Sequence, residues 1–200
     1  MKGLLLFARA RNGWWLLPLA LLGFALARWA PQSLVASPVG MSTMYSPALV
    51  WCGLPGALGY LALRQPGFDM ELRTQFLVRV RALWWVIVVC CLTVPAALAV
   101  LPSLSLPAVQ ARNSLLLVGI GYWTVRALGY EFGWVLSTVT LGTTVFFGTT
   151  NTLGEPAWWA FLLWPITSSY SWLLTGVIAG SAWLAYALRD VQRPWVSVAS

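Results

Sequence analysis

Acid, base and nucleophile chemistry needs side chains that this sequence mostly lacks. There is no His in 200 residues, and the one Lys is Lys2. Without imidazole a Ser–His hydrolase, a His-Glu-x-x-His metalloprotease and a His-ligated haem are excluded. Without an internal Lys there is no Walker-type phosphate loop, so any ATP hydrolysis belongs to another chain. Asp69 and Asp190 lie in charged flanks instead of inside an apolar stretch, which argues against an aspartyl intramembrane protease. Cys52, Cys90 and Cys91 sit in apolar runs with no metal-ligand spacing and are expected to be packing residues. No catalytic residue, metal site or cofactor is therefore assigned, and the chain is not expected to be an enzyme.

The remaining polar residues are arranged in ways that suit other work. Ser137, Thr140 and Thr144 fall at offsets of three and four, on one face of a helix. Such a stripe lines a polar translocation path, or bonds helices together and bonds back to its own turn. Between Arg64 and Arg81, the turn signal Gln65-Pro66-Gly67 is followed by Asp69 as a helix N-cap, and Leu72, Phe76 and Val80 recur every four residues. Glu71, Arg73, Gln75 and Arg79 take the other faces, giving a short amphipathic helix that rests on a membrane surface or docks a partner. Arg126 and Glu131 flank a tight turn and are opposite charges near a span boundary. A segment over 154–165, bounded by Pro156 and Pro165, carries Trp158, Trp159 and Trp164; it is expected to lie at the outer interface or to dip inward as a re-entrant piece.

The elements that must carry these residues are membrane helices. Sixty per cent of the chain is apolar and 8% charged, where a soluble domain has about 25% charged residues to solvate its exterior. Charges divide the chain into spans expected at about 13–29, 44–63, 82–101, 113–129, 132–149 and 170–188. The uncharged run between Pro156 and Leu188 is too long for one crossing, which takes about 20 residues. Pro47 and Pro55, with Gly53, Gly56 and Gly59, bend the second span and permit close approach. The basic lead and Ala25-Leu26-Ala27 are signal-peptide-like, but five further apolar blocks make an uncleaved first span the simpler expectation.

Lys2, Arg9, Arg11, Arg64, Arg73, Arg79, Arg81, Arg126, Arg189 and Arg193 then share one side, against Arg28 and Arg112 on the other. The positive-inside rule places both termini in the cytoplasm, so the net charge of +7 is a topology signal and no nucleic-acid partner is expected. The expected fold is all-α: one polytopic domain over 1–200 with six transmembrane helices and a short amphipathic helix over 1–12.

This order of elements resembles the permease subunit of an ABC type-2 exporter. The resemblance spans nearly the whole chain: an amphipathic N-terminal helix, six spans, a coupling helix after the second and a re-entrant piece before the sixth. Arg112-Asn113 opening the fourth span, Gly129 at the turn and Trp158-Trp159 ahead of the last span are similar in texture to small permeases of this kind. The N-terminal helix is short for the family. The resemblance implies a plasma membrane protein of a bacterium that exports a drug, peptide, lipid or polysaccharide-type substrate. It implies a separate ABC-type ATPase holding ATP and Mg, and a second permease copy or homologue as a homo- or heterodimer. Asp69, Glu71, Arg73 and Phe76 would couple to the ATPase. Two other readings stand beside it: the six-helix substrate-capturing subunit of a vitamin importer, which binds its ligand alone, and a non-transporting membrane scaffold or immunity protein.

Overall fold

A computed structural model describes residues 13–29, 35–36, 44–45, 53–63, 75–99, 105–148 and 156–188. The fold is all-α apart from a two-residue antiparallel ladder. Its helices are α1 (Leu16–Trp29, led by a 3-10 turn Gly13–Trp15), α2 (Gly53–Leu58, continued as 3-10 over Gly59–Leu63), α3 (Gln75–Ala99), α4 (Ser105–Leu128), α5 (Val135–Phe147) and α6 (Ser169–Leu188). The ladder pairs β1 (Val35–Ala36) with β2 (Met44–Tyr45). Two 3-10 turns, Tyr130–Phe132 and Phe161–Leu163, precede α5 and α6.

The first, fifth and sixth expected spans coincide with α1, α5 and α6 to within a few residues. The other three differ, each for a local reason. The second expected span begins at residue 44, yet Met44 is in the ladder and the helix starts at Gly53. Ser46 precedes Pro47, whose ring disfavours helical backbone in the residue before it. The third helix starts at Gln75 instead of 82, so Phe76 and Val80 belong to the same continuous helix as Trp84 and Trp85. Arg81, expected in a solvated flank, is buried. The fourth starts at Ser105 instead of 113 and takes Pro107 into its first turn, where a missing N–H costs nothing.

Long-range contacts show that successive helices run in opposite directions. Trp84 Nε1 donates to Ala62 O (2.8 Å), which sets the start of α3 beside the end of the 59–63 turn. Trp85 packs edge-on against Tyr122 at 5.8 Å, so early α3 meets late α4. Ser137 Oγ donates to Leu117 O (3.1 Å) while Gly133 adjoins Gly121, so α5 runs against α4. Arg112 reaches Ser171 and Trp123 reaches Ser181, which makes α4 and α6 parallel. Trp183 Nε1 donates to Ala82 O (3.3 Å), returning the end of α6 to the start of α3.

Helix α4 is the centre, packed against α2, α3, α5 and α6. Toward its C-terminal half lies a cluster with Leu63, Trp84, Trp85, Val88, Leu92, Val118, Tyr122, Ala182 and Tyr186; toward its midpoint a second one unites Ala57, Leu116, Leu117, Leu141 and Leu162. Among the described residues two helices are long and apolar enough to cross a membrane: α3 over Val78–Pro95 and α6 over Ser169–Leu188. Only 28% and 33% of those windows are buried in the protein, whereas the core helix of a soluble domain is mostly covered. The exposed faces carry large apolar side chains such as Leu136, Val139, Phe147, Leu173, Val177 and Leu184.

Candidate functional site

The densest polar construction in the bundle is formed by α4, the start of α6 and the segment between α5 and α6. It begins at Gly148, which closes α5 with its N–H on Thr144 O (3.0 Å). Gly148 O then accepts from the Ala157 N–H (2.7 Å), returning the chain to the bundle. From there Ala157, Ala160 and Leu162 are buried while Trp158 is 74% exposed, so the segment turns one face inward and one outward. Trp164 Nε1 donates to Ala157 O (3.0 Å), bracing the loop across itself. The rings of Phe161 and Trp164 lie 6.3 and 5.7 Å from that of Tyr170 at the start of α6.

Arg112 and Asn113 hold the segment from the α4 side. Arg112 is 1% exposed. Its Nη1 donates to Ser171 Oγ (2.7 Å) and Pro165 O (3.3 Å), and its Nη2 to Phe161 O (3.2 Å) and Leu162 O (3.3 Å). Nε and Nη2 also converge on Asn113 Oδ1 at 3.2 and 3.0 Å, while Asn113 Nδ2 donates to Leu162 O (2.9 Å). A buried cation without hydrogen bonds is prohibitively costly; here the carbonyl dipoles of a 3-10 turn and a hydroxyl replace water. Leu162 joins the buried cluster of Leu116 and Leu117, which straddle the midpoint of α4. The segment thus has Ala157, Ala160 and Leu162 covered by the bundle. No sequence pattern pointed to this latch: Arg112 and Asn113 were recognisable as a pair, but their partners lie 49 to 59 residues away.

The other expected site residues are dispersed. Ser137 and Thr144 are buried and Thr140 is half-buried. Ser137 bonds across to α4, whereas Thr140 and Thr144 return their hydroxyls to Leu136 O (2.8 Å) and Thr140 O (2.7 Å). All three hydroxyl protons are therefore committed to backbone carbonyls. Trp159 and Trp164 are half-buried on the inserted segment. Asp69, Glu71 and Arg73, with the expected helix over 1–12, lie outside the described residues. Phe76 stands in the first turn of α3. Arg126 is half-buried and Glu131 exposed beside the turn that Gly129 opens with φ 96°.

Two further polar side chains, not singled out by sequence, are buried on α4. Gln110 and Ser114 are each 1% exposed, one turn apart. Their only sequence signal is polarity within an apolar helix. Among the described residues no group of three His, Cys, Asp or Glu is placed to hold a metal ion. No family model, curated protein or solved structure matches the chain.

Proposed function

We propose that this chain is the membrane-spanning permease subunit of an ATP-driven exporter of the ABC type-2 class, working in a bacterial plasma membrane with a separate ATPase and a second permease. The observation that carries the reading is the short segment inserted ahead of the last helix, with Leu162 buried and its carbonyl tied to Arg112 and Asn113. Irregular backbone is tolerated at membrane depth only where protein covers it and satisfies its polar groups. A scaffold has no need of such a construction, whereas a transporter uses one to close its outer face.

Three features add support. Helix directions alternate through all six described helices, which suits six crossings. Arg79, Arg81 and Arg126 lie at the end of the bundle where α3 starts and α4 finishes, while Arg28 ends α1 at the other; Arg112, once counted with Arg28, is an internal structural cation. At about 1.5 Å per residue, the 25 residues of α3 form a rod of about 37 Å, longer than the hydrocarbon core of about 30 Å. A push delivered at the loop carrying Asp69, Glu71 and Arg73 would enter that rod at Gln75 and travel twenty residues before meeting the helix's internal proline, Pro95. ATP-driven closure of the ATPase pair would move α3 in this way and shift the bundle between two packings.

Purification of the tagged chain from native membranes in mild detergent tests the proposal. An ATPase recovered with two permease copies is expected. An ATPase with one unrelated large membrane subunit would transfer the chain to the importer class, and recovery without any ATPase would refute the exporter reading.

A further inference from the structure

Hydroxyls in the described helices commonly bond back to their own turn, and Ser137, Ser171 and Ser181 likewise donate to backbone carbonyls. Thr93, Thr124, Thr140, Thr143, Thr144 and Thr175 each donate to the carbonyl four residues earlier. Ser114 is buried and equally able to do so, yet its Oγ has no hydrogen-bond partner among the described residues. One turn earlier on the same face, Gln110 leaves both Oε1 and Nε2 without a partner. Buried polar atoms are paired in the great majority of cases, and a carboxamide unpaired at both ends is an expensive exception.

Ser114 looks onto α2, and Gln110 lies one turn earlier on the same face of α4. A Cβ placed on Gly56 would lie 2.8 Å from Ser114 Cα and 3.0 Å from Ser114 O, so the two backbones touch with nothing between them. Small residues that let backbones approach make a seam that closes completely and parts without dragging side chains through one another. The seam is also free of charge. Neither α2 (Gly53–Leu58) nor α5 (Val135–Phe147) carries an ionisable residue. Arg112 points about 200° around α4 from Gln110, with its N–H groups engaged by the inserted segment and Ser171.

Resting on the permease reading, we propose that the α2–α4 seam opens to admit water and an uncharged, hydrogen-bonding solute, and that Gln110 and Ser114 form its polar wall. In the closed seam their hydrogen-bonding capacity is idle; in the open one it meets the solute. A carboxamide and a hydroxyl each donate and accept, which matches hydroxyl- or amide-bearing molecules and not ions.

The test is thiol accessibility in a background with Cys52, Cys90 and Cys91 replaced by Ala. Ser114→Cys, Gln110→Cys and Val109→Cys are exposed to iodoacetamide, itself a small neutral amide, in unsealed native membranes. Val109, next to Gln110 on another face of α4, is buried but slightly more exposed, at 9% against 1%, so it is a stringent control. Alkylation at 114 and 110 is expected to be at least tenfold faster than at 109. Equal, slow alkylation at all three would show a permanently closed seam, and equal, fast alkylation would show fraying of the helix end; either overturns the proposal. Ser114→Cys changes one atom and keeps the test decisive should Gln110→Cys fail to accumulate. Rapid alkylation in a chain that recovers no ATPase would keep the seam and remove the exporter.

Discussion

Replacing Arg112 by Met removes the latch while leaving a side chain of similar reach. Three of its bonds tie α4 to the inserted segment, to Phe161 O, Leu162 O and Pro165 O at 3.2–3.3 Å, and one to Ser171 Oγ at 2.7 Å. None of these acceptors is orphaned by the substitution. Leu162 O keeps Asn113 Nδ2, Pro165 O keeps the Ser168 N–H and Phe161 O keeps the Trp164 N–H. Asn113 Oδ1 alone loses both of its donors and stays buried, which adds a desolvation penalty on α4 but does not weaken these segment bonds further. With hydrogen bonds to a charged group worth about 1.5–3 kcal/mol and these segment bonds long, the low end applies, and three of them hold the segment by about 4–5 kcal/mol. Local opening that exposes the segment should become about a thousandfold more frequent. Alkylation of Ala160→Cys, at a position fully buried in the closed segment, reads that frequency directly. Arg112→Lys keeps the charge but offers three donors from a point, so it should recover about half of the effect in energy and an intermediate rate. If Arg112→Met alkylates within about threefold of the parent, the guanidinium does not hold the segment and the argument from its geometry is wrong.

Other substitutions check separate steps. Gly129 has φ 96° and ψ 166°, a region essentially restricted to Gly, so Gly129→Ala should cost about 1–3 kcal/mol in a detergent melt; an unchanged midpoint would contradict that backbone. Leu162→Ala opens a cavity beside Leu116, Leu117 and Leu141 and should cost about 2–5 kcal/mol, measured in the same way. Ser137→Ala forfeits a cross-helix bond worth about 1 kcal/mol, whereas Thr140→Val loses only a bond within its own turn and should be near neutral; equal losses would contradict this division. Arg79→Pro, in the fifth position of α3, should break the rod at its entry, abolishing transport while membrane insertion and ATPase recovery persist. Transport at the parent level would refute coupling through α3.

Local patterning carried a good part of the fold. The apolar runs that became α1, α5 and α6 are bounded by residues whose effect is short-range: Gly13 before the first, the turn at Gly129 and the cap at Gly148 around the fifth, Pro165 ahead of the sixth. The boundaries of α2, α3 and α4 were less legible because polar residues were read as flanks. Arg81 and Arg112 mark where a helix leaves the membrane only if they meet water, and both are buried, Arg112 by a segment about fifty residues away. Pro107 stands in the first turn of α4, where its missing N–H costs nothing.

By itself, the sequence determined that this is an apolar helical chain with no His and with Lys2 as its one Lys, because composition and helical periodicity are properties of single residues and their near neighbours. It also showed a basic bias toward alternate loops and a Trp-rich segment between prolines. Only the tertiary structure decided what the polar residues inside the apolar helices do. Hydrogen bonding is short-range in space but not along the chain, so the pairing of Arg112 with carbonyls about fifty residues away, the commitment of the Ser137, Thr140 and Thr144 hydroxyls, and the idleness of Gln110 and Ser114 all depend on which helices come together.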